Sequence, residues 1–271
     1  MPGIRISALN VHPVKSCAAI PLEDARVLPT GLESDRRWMI VDARGRYQTQ
    51  RELPRLALIR PRLVDGGLIA AAPGMPELSV GADMPERVTV SIWDDQCTGI
   101  DAGEPAARWV SDFLGRPLRL VSFDMGTRRP VAPRWTDGLD AAALFSDAFP
   151  FLVLSEGSLE DLNSRLPQPL PMNRFRPNIV LSGLAPYQED HIREFTAGEV
   201  RIRLVKPCAR CAIPSVDQGT GERQGDEPLR TLKSYRWDRA LRGAIFGQNG
   251  ILVSGANGRL QVGQAVEVAG A

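Results

Sequence analysis

The chain of 271 residues is 43% apolar and 24% charged, enough to bury a core in one large domain or two ordinary ones. Its 33 basic and 32 acidic side chains leave a net charge of +1, which excludes a broad electrostatic footprint for nucleic acid or an anionic membrane. Cysteines occur only at 17, 97, 208 and 211, too few for a disulfide scaffold, so a reducing compartment is expected.

The N-terminal stretch MPGIRISALNVHPVKSC has no apolar h-region, and no apolar run reaches roughly 18 residues, so the expectation is a soluble, cytoplasmic protein without a membrane anchor. The first part of the chain then alternates β-rich runs with turn chemistry. Strands are predicted over 4–11, 36–42, 56–63 and 87–93, with DARGR (42–46) as a hairpin turn. A helix is predicted over 101–115: Asp101 can cap, Glu104 completes a capping box, Pro105 suits the first turn, and Ala106, Trp109, Val110, Phe113 and Leu114 recur at helical spacing before Gly115.

The Pro-, Gly- and Arg-rich stretch 125–138 reads as a domain boundary or a long surface loop, dividing the chain into 1–124 and 125–271. A second helix is predicted over 155–166, with Ser155 or Ser158 as cap and Leu159, Leu162 and Leu166 as its apolar stripe. Further strands are expected at 178–183, 199–205, 250–255 and 264–270. Many short strands and few helices favour an α+β, mainly β architecture of barrel-like or sandwich sheets with packed helices.

The chemistry concentrates in PCARCAIPSVDQGTGE (207–222). Structural zinc needs four ligands, usually from two Cys-x-x-Cys pairs, and the sequence supplies one pair. A thioredoxin-like dithiol should open a helix, whereas Pro214 follows Cys211 closely and no helical period appears. A single thiolate near Lys206 and Arg210 can serve as a soft ligand to a metal that draws its other ligands from an organic cofactor. Both cysteines as small buried hydrophobes is the fourth reading. Only three of the basic residues are lysines (15, 206 and 233), and the arginine excess suits bidentate recognition of anions.

Beyond this loop stand HPVKSC (12–17), SDRRWMIVD (34–42), FSDAFPFLVLSEGSLEDLN (145–163), NRFRPNIVLSG (173–183), PLRTLKSYR (228–236) and FGQN (246–249). In this order and spacing the chain resembles the MOSC-domain molybdenum-cofactor proteins with an N-terminal MOSC β-barrel, among them the YcbX-like bacterial proteins and the mitochondrial amidoxime-reducing component. The resemblance implies a MOSC N-terminal β-barrel-like domain followed by a MOSC β-barrel domain. It also implies a molybdenum cofactor (molybdenum held by molybdopterin) and reduction of small N-hydroxylated or N-oxide substrates. No Cys-x4-Cys-x2-Cys pattern is present for an iron–sulfur cluster, so electrons would come from a separate donor of the ferredoxin or cytochrome/flavin reductase type.

By the same resemblance Cys211 is the molybdenum ligand and Cys208 a neighbour. Lys15, Ser16 and Arg36 receive the pterin's phosphate, Arg176 and Asn178 lie near the pterin, Arg210 contacts the cofactor or steers anions, and Phe246 and Gln248 sit close by. Asp147 is a candidate proton relay, with an N-cap or turn role as the alternative. Where the mitochondrial relatives carry two small hydroxyl residues, this chain has Ala148 and Phe149, and Phe149 is expected to narrow the pocket. A sulfur-handling protein and a cofactor carrier without reductase activity are the rivals. The arginines at 128–134 suggest an anion- or partner-docking patch.

Overall fold

The computed structural model describes residues 3–81 and 86–270. Its largest sheet has nine strands, in the order Glu267–Gly270, Ile192–Ala197, Val200–Ala209, Gly243–Ser254, Phe151–Ser155, Ile179–Ser182, Arg5–Val11 and Ile20–Leu22, with Trp237–Asp238 paired onto Gly243–Ser254. Phe151–Ser155 and Ile179–Ser182 run parallel, and the helix Glu156–Arg165 lies in the connection that such a pair requires. The architecture is α+β and mainly β, as expected, but the ladder is an open path rather than a closed barrel. An isolated bridge between Arg5, in the last-but-one strand, and Ala265, just before Glu267–Gly270, brings the two sides near each other, backed by Ile6 N–H to the Gln264 carbonyl at 3.0 Å.

A four-stranded sheet orders Trp38–Val41, Arg119–Phe123, Asp95–Asp101 and Arg87–Ile92. Smaller three-stranded sheets join Arg60–Val64, Gly67–Ala71 and Leu78–Val80, and Arg259–Gln261, Asp24–Leu28 and Gly31–Leu32. The helix Gly103–Leu114 buries Ala106, Trp109, Val110, Phe113 and Leu114 against Trp38, Leu56 and Leu68, which is the face its spacing predicts.

Several local expectations shift for identifiable reasons. The capping box does not form, because Arg119 draws both Asp101 and Glu104 into charge-assisted bonds. Ala102 is the N-cap instead, while Asp101 still accepts from Gly103 N–H at 2.7 Å. Pro54 starts a 3-10 turn over Pro54–Leu58, so the predicted strand begins only at Arg60. Ser155 caps the second helix by accepting from Ser158 N–H at 3.1 Å. Val200–Ala209 runs further than expected and carries Cys208 at its end. Register shifts around Pro207 mark where a residue without an N–H interrupts the ladder.

Candidate functional site

The N-terminal segment supplies the first cation. Lys15 follows a strand and a proline, and its side chain is 6% exposed. The ammonium donates to the Phe145 carbonyl at 2.9 Å and pairs with the Asp147 carboxylate. Burial lowers the Lys15 pKa, and the charge of Asp147 offsets part of that shift. For Asp147 burial would raise the pKa, but Lys15 reverses the sign and holds the carboxyl well below the usual range. Since 58% of the Asp147 side chain faces solvent, screening weakens this coupling. A carboxyl kept ionised in this way is poorly poised to give up a proton near neutral pH.

Two arginines on left-handed backbone form the next layer. Arg36 has φ +48° and Arg176 has φ +59°, conformations that turn the chain sharply at each guanidinium. Arg36 donates to the buried Asp35 carboxylate, to Asn178 Oδ1 at 3.1 Å and to the Arg176 carbonyl at 3.3 Å. Arg176 donates through Nη1 to the Cys17 carbonyl at 2.7 Å, whereas its Nη2 is buried and has no partner. Burial, followed by repulsion from Arg36, pushes the Arg176 pKa down to about 10. A buried guanidinium with an idle donor beside a second guanidinium is a site that favours an anion.

Asn178 is 1% exposed and already engaged: its Oδ1 accepts from Arg36 and from Leu152 N–H, and its Nδ2 donates to the Asn10 carbonyl at 3.2 Å. It orients Arg36 rather than presenting a free amide. Ser16 is also buried, with φ +65°, and its carbonyl accepts from Gln50 at 2.7 Å.

The cysteine loop joins this cluster through Arg210, which donates to Cys208 Sγ at 3.1 Å and to the Phe175 carbonyl at 2.7 Å, one residue before Arg176. Its Nε is buried and unpaired. Cys208 and Cys211 are partly exposed free thiols, unlike the buried Cys17, whose pKa burial pushes up to about 12. Among the described residues, no group of three or more His, Cys, Asp or Glu stands together to hold a metal. Phe246 is 0% exposed and packs 4.5 Å from the Phe175 ring, so its side chain supports the floor beneath Arg210 and Arg176. Gln248 points to Asp190, donating at 2.6 Å. Phe149 is buried against Trp135, Val131 and Ile251, with the Lys206 ammonium 5.9 Å from its ring.

Some contributors carry no readable signal in the sequence. Arg129, in the stretch expected to be a docking surface, is 5% exposed. It donates to the carbonyls of Leu144, Ser146 and Asp147 at 2.7, 2.7 and 2.6 Å, clamping the turn that presents Asp147. Its position in a Pro-rich loop gave no hint of burial. Gln50 bonds both Ser16 and Gln218 and so links the Lys15 segment to the loop after Cys211. One cleft of about 680 Å³ lies beside Arg108 and Arg119, away from this cluster, while another of about 540 Å³ adjoins the cysteine loop, lined by Ala212, Ser215, Arg223 and Lys233.

Comparison with known proteins places the chain in a family. Residues 3–117 match the MOSC N-terminal beta barrel domain, and residues 140–267 match the MOSC domain. Human mitochondrial amidoxime-reducing component 1 is 37% identical over 98% of this chain and 83% of its own length. Human mitochondrial amidoxime reducing component 2 is 35% identical over 85% of this chain and 72% of its own length. Among solved structures, the YUAD protein of Bacillus subtilis aligns over 100% of this chain and 97% of that one, at 10% identity and a TM-score of 0.47.

The names of these relatives overturn the cytoplasmic expectation, because they are mitochondrial components. That expectation rested on one N-terminal segment and on cysteine usage, and neither distinguishes one reducing compartment from another. No helix among the described residues is long and apolar enough to cross a membrane. With both domain models matched in order and with relatives aligned along most of their length, the chain belongs to the amidoxime-reducing component family of MOSC-domain proteins.

Proposed function

We propose that this protein is a molybdenum-cofactor-dependent reductase of N-hydroxylated compounds. Its family membership supports the activity, and the observation that carries the cofactor reading is the idle, buried Nη2 of Arg176 in a cationic cradle joined to a partly exposed Cys-x-x-Cys loop. The donor set fits the cofactor. Lys15, Arg36, Arg176 and Arg210 suit a phosphate-bearing ligand, and a thiolate at Cys211 suits a metal whose other ligands are sulfur atoms of that ligand.

When bound, the cofactor supplies the two-electron chemistry that converts an N–OH group, two protons and two electrons into N–H and water. The chain's own residues bind and orient. Arg176 and Arg36 hold the anionic tail, Asn178 fixes Arg36, and the Lys15–Asp147 pair sets the position of the ammonium. Electrons reach the site from a separate protein, and the division into 1–124 and 125–271 is part of the same proposal. Protein from cells that make the cofactor should contain close to one molybdenum and one oxidisable pterin per chain and should reduce hydroxylamines. A metal- and pterin-free protein from such cells would sink the reading. A persulfide at Cys211 by intact mass, with cofactor bound but no turnover, would move the protein to sulfur handling.

A further inference from the structure

The hairpin of Arg87–Ile92 and Asp95–Asp101 turns through Trp93 and Asp94, with Asp95 opposite Ile92. Trp93 has φ +53°, a conformation that such turns normally give to Gly, Asn or Asp. It is also 51% exposed, among the most open large apolar side chains described. An indole held in strained backbone and left open to solvent is a placement that packing does not explain.

Contacts with Arg51 and Tyr47 hold one side of this ring near the candidate site. The Arg51 guanidinium lies 4.5 Å from its centroid. The Tyr47 ring is 5.7 Å away, and the Lys15 ammonium lies 5.5 Å from that same Tyr47 ring. At the end of the turn Asp95 accepts from Arg129 Nε at 2.9 Å, and Arg129 also holds the Asp147 carbonyl. The Arg51 carbonyl accepts from Arg223, in the loop after Cys211, at 2.9 Å. Trp93 is therefore tied to the Lys15–Asp147 pair and, through Arg51, to the cysteine loop.

Resting on the reductase reading above, we propose that Trp93, steadied by Arg51, is a stacking subsite for flat, conjugated N-hydroxylated substrates such as aryl amidoximes. The cation on the indole limits its freedom before substrate arrives, so stacking costs little further ordering. A planar conjugated group gains offset or edge contact with the open indole surface. A small aliphatic hydroxylamine has no π face and gains nothing from it.

The test uses holoprotein reduced by dithionite-reduced methyl viologen, with benzamidoxime and N-methylhydroxylamine as substrates. Trp93→Ala should raise KM for benzamidoxime about fivefold to tenfold, leave kcat nearly unchanged, leave both constants for N-methylhydroxylamine within about twofold, and be largely rescued by Trp93→Phe. Equal losses on both substrates, or an unchanged KM for benzamidoxime, overturn the subsite. Calorimetric titration of benzamidoxime into oxidised holoprotein separates this inference from the reading beneath it. Binding weakened by Trp93→Ala supports stacking even if wild-type protein reduces neither substrate, a result that would defeat the reductase reading alone. Binding indifferent to Trp93 overturns the stacking.

Discussion

Two cysteines three positions apart face different surroundings. Cys208 is the last-but-one residue of a paired strand, its sulfur accepting from Arg210, while Cys211 lies beyond the strand and accepts no side-chain donor among the described residues. If Cys211 alone binds metal, Cys211→Ala should lose molybdenum and all turnover, whereas Cys208→Ala should keep most of both. Equal losses, read by metal analysis beside activity, would return the pair to a shared role. Asp147 gives a second contrast. Because Lys15 keeps its carboxyl ionised, Asp147→Asn should lower affinity for cofactor yet preserve the shape of the pH–kcat profile from about pH 6 to 8. Loss of one limb of that profile would reinstate a proton relay.

His12 is the residue whose protonation bears on stability near neutral pH. It is 1% exposed, and burial, then Arg36 and Arg176, drive its pKa well below 6.5. Its Nδ1 stands 3.7 Å from Asp35, too far for a hydrogen bond to rescue the cation, and is buried without a partner. The unfolded chain therefore takes up a proton below 6.5 that the folded chain refuses. Stability is complete above that value and falls as pH drops, with a limiting slope of about 1.4 kcal/mol per pH unit. Chemical denaturation at pH 7.5 and 5.5 should show this loss in wild type and a smaller one in His12→Gln. Identical losses would mean that His12 titrates alike in both states.

At the scale of elements, the Asp147 turn depends on a side chain from a different segment. Arg129 fills three carbonyls of the 144–147 turn and pairs with Asp95, all from a buried position. Arg129→Ala should cost about 3 kcal/mol in urea denaturation, with partial recovery in Arg129→Lys, whose ammonium cannot fork across the same acceptors. A loss below about 1 kcal/mol would show that the turn holds itself. The sequence offered no route to this clamp, because a Pro-rich stretch with several arginines has the composition of a solvated loop. The helix Gly103–Leu114 was readable because one face carries all its large apolar residues, and the Ser155 cap because its chemistry is local. The strand Gly243–Ser254 was only half readable. Its glycines resemble turn chemistry, yet a Cβ on Gly247 would come within 2.6 Å of Leu154 and one on Gly250 within 2.9 Å of Ile202. Here glycine permits close packing between strands. Of the site, the Cys loop and Lys15 segment were legible as motifs. The bonds joining them, Arg176 to Cys17 and Gln50 to Gln218, span more than a hundred positions and leave no periodic trace.

Across the whole molecule, the two matched domains do not coincide with two separate cores. The strand Arg5–Val11, from the first, pairs with Ile179–Ser182 of the second, and Ile6 and Leu9 share a buried cluster with Phe151, Ile202 and Leu260. Val27 and Leu32 belong to that same cluster, while the strand Asp24–Leu28 pairs with Arg259–Gln261 near the other end of the chain. Removing the N-terminal segment would strip apolar surface and a strand partner from the C-terminal sheet together, so the C-terminal half has no complete interior alone, although the first half also holds a cluster of its own around Trp38, Leu56 and Trp109. The cation cluster sits across the same junction, with Lys15 and Arg36 from one side and Arg176 and Arg210 from the other. Scanning calorimetry should therefore record one cooperative unfolding transition, with a calorimetric enthalpy equal to the van't Hoff value. A fragment of residues 140–271 should lack a cooperative melt. Two resolved transitions in the full chain, or a sharp melt in the fragment, would mean that the shared strand is peripheral, and the site could then no longer be treated as a single rigid cradle.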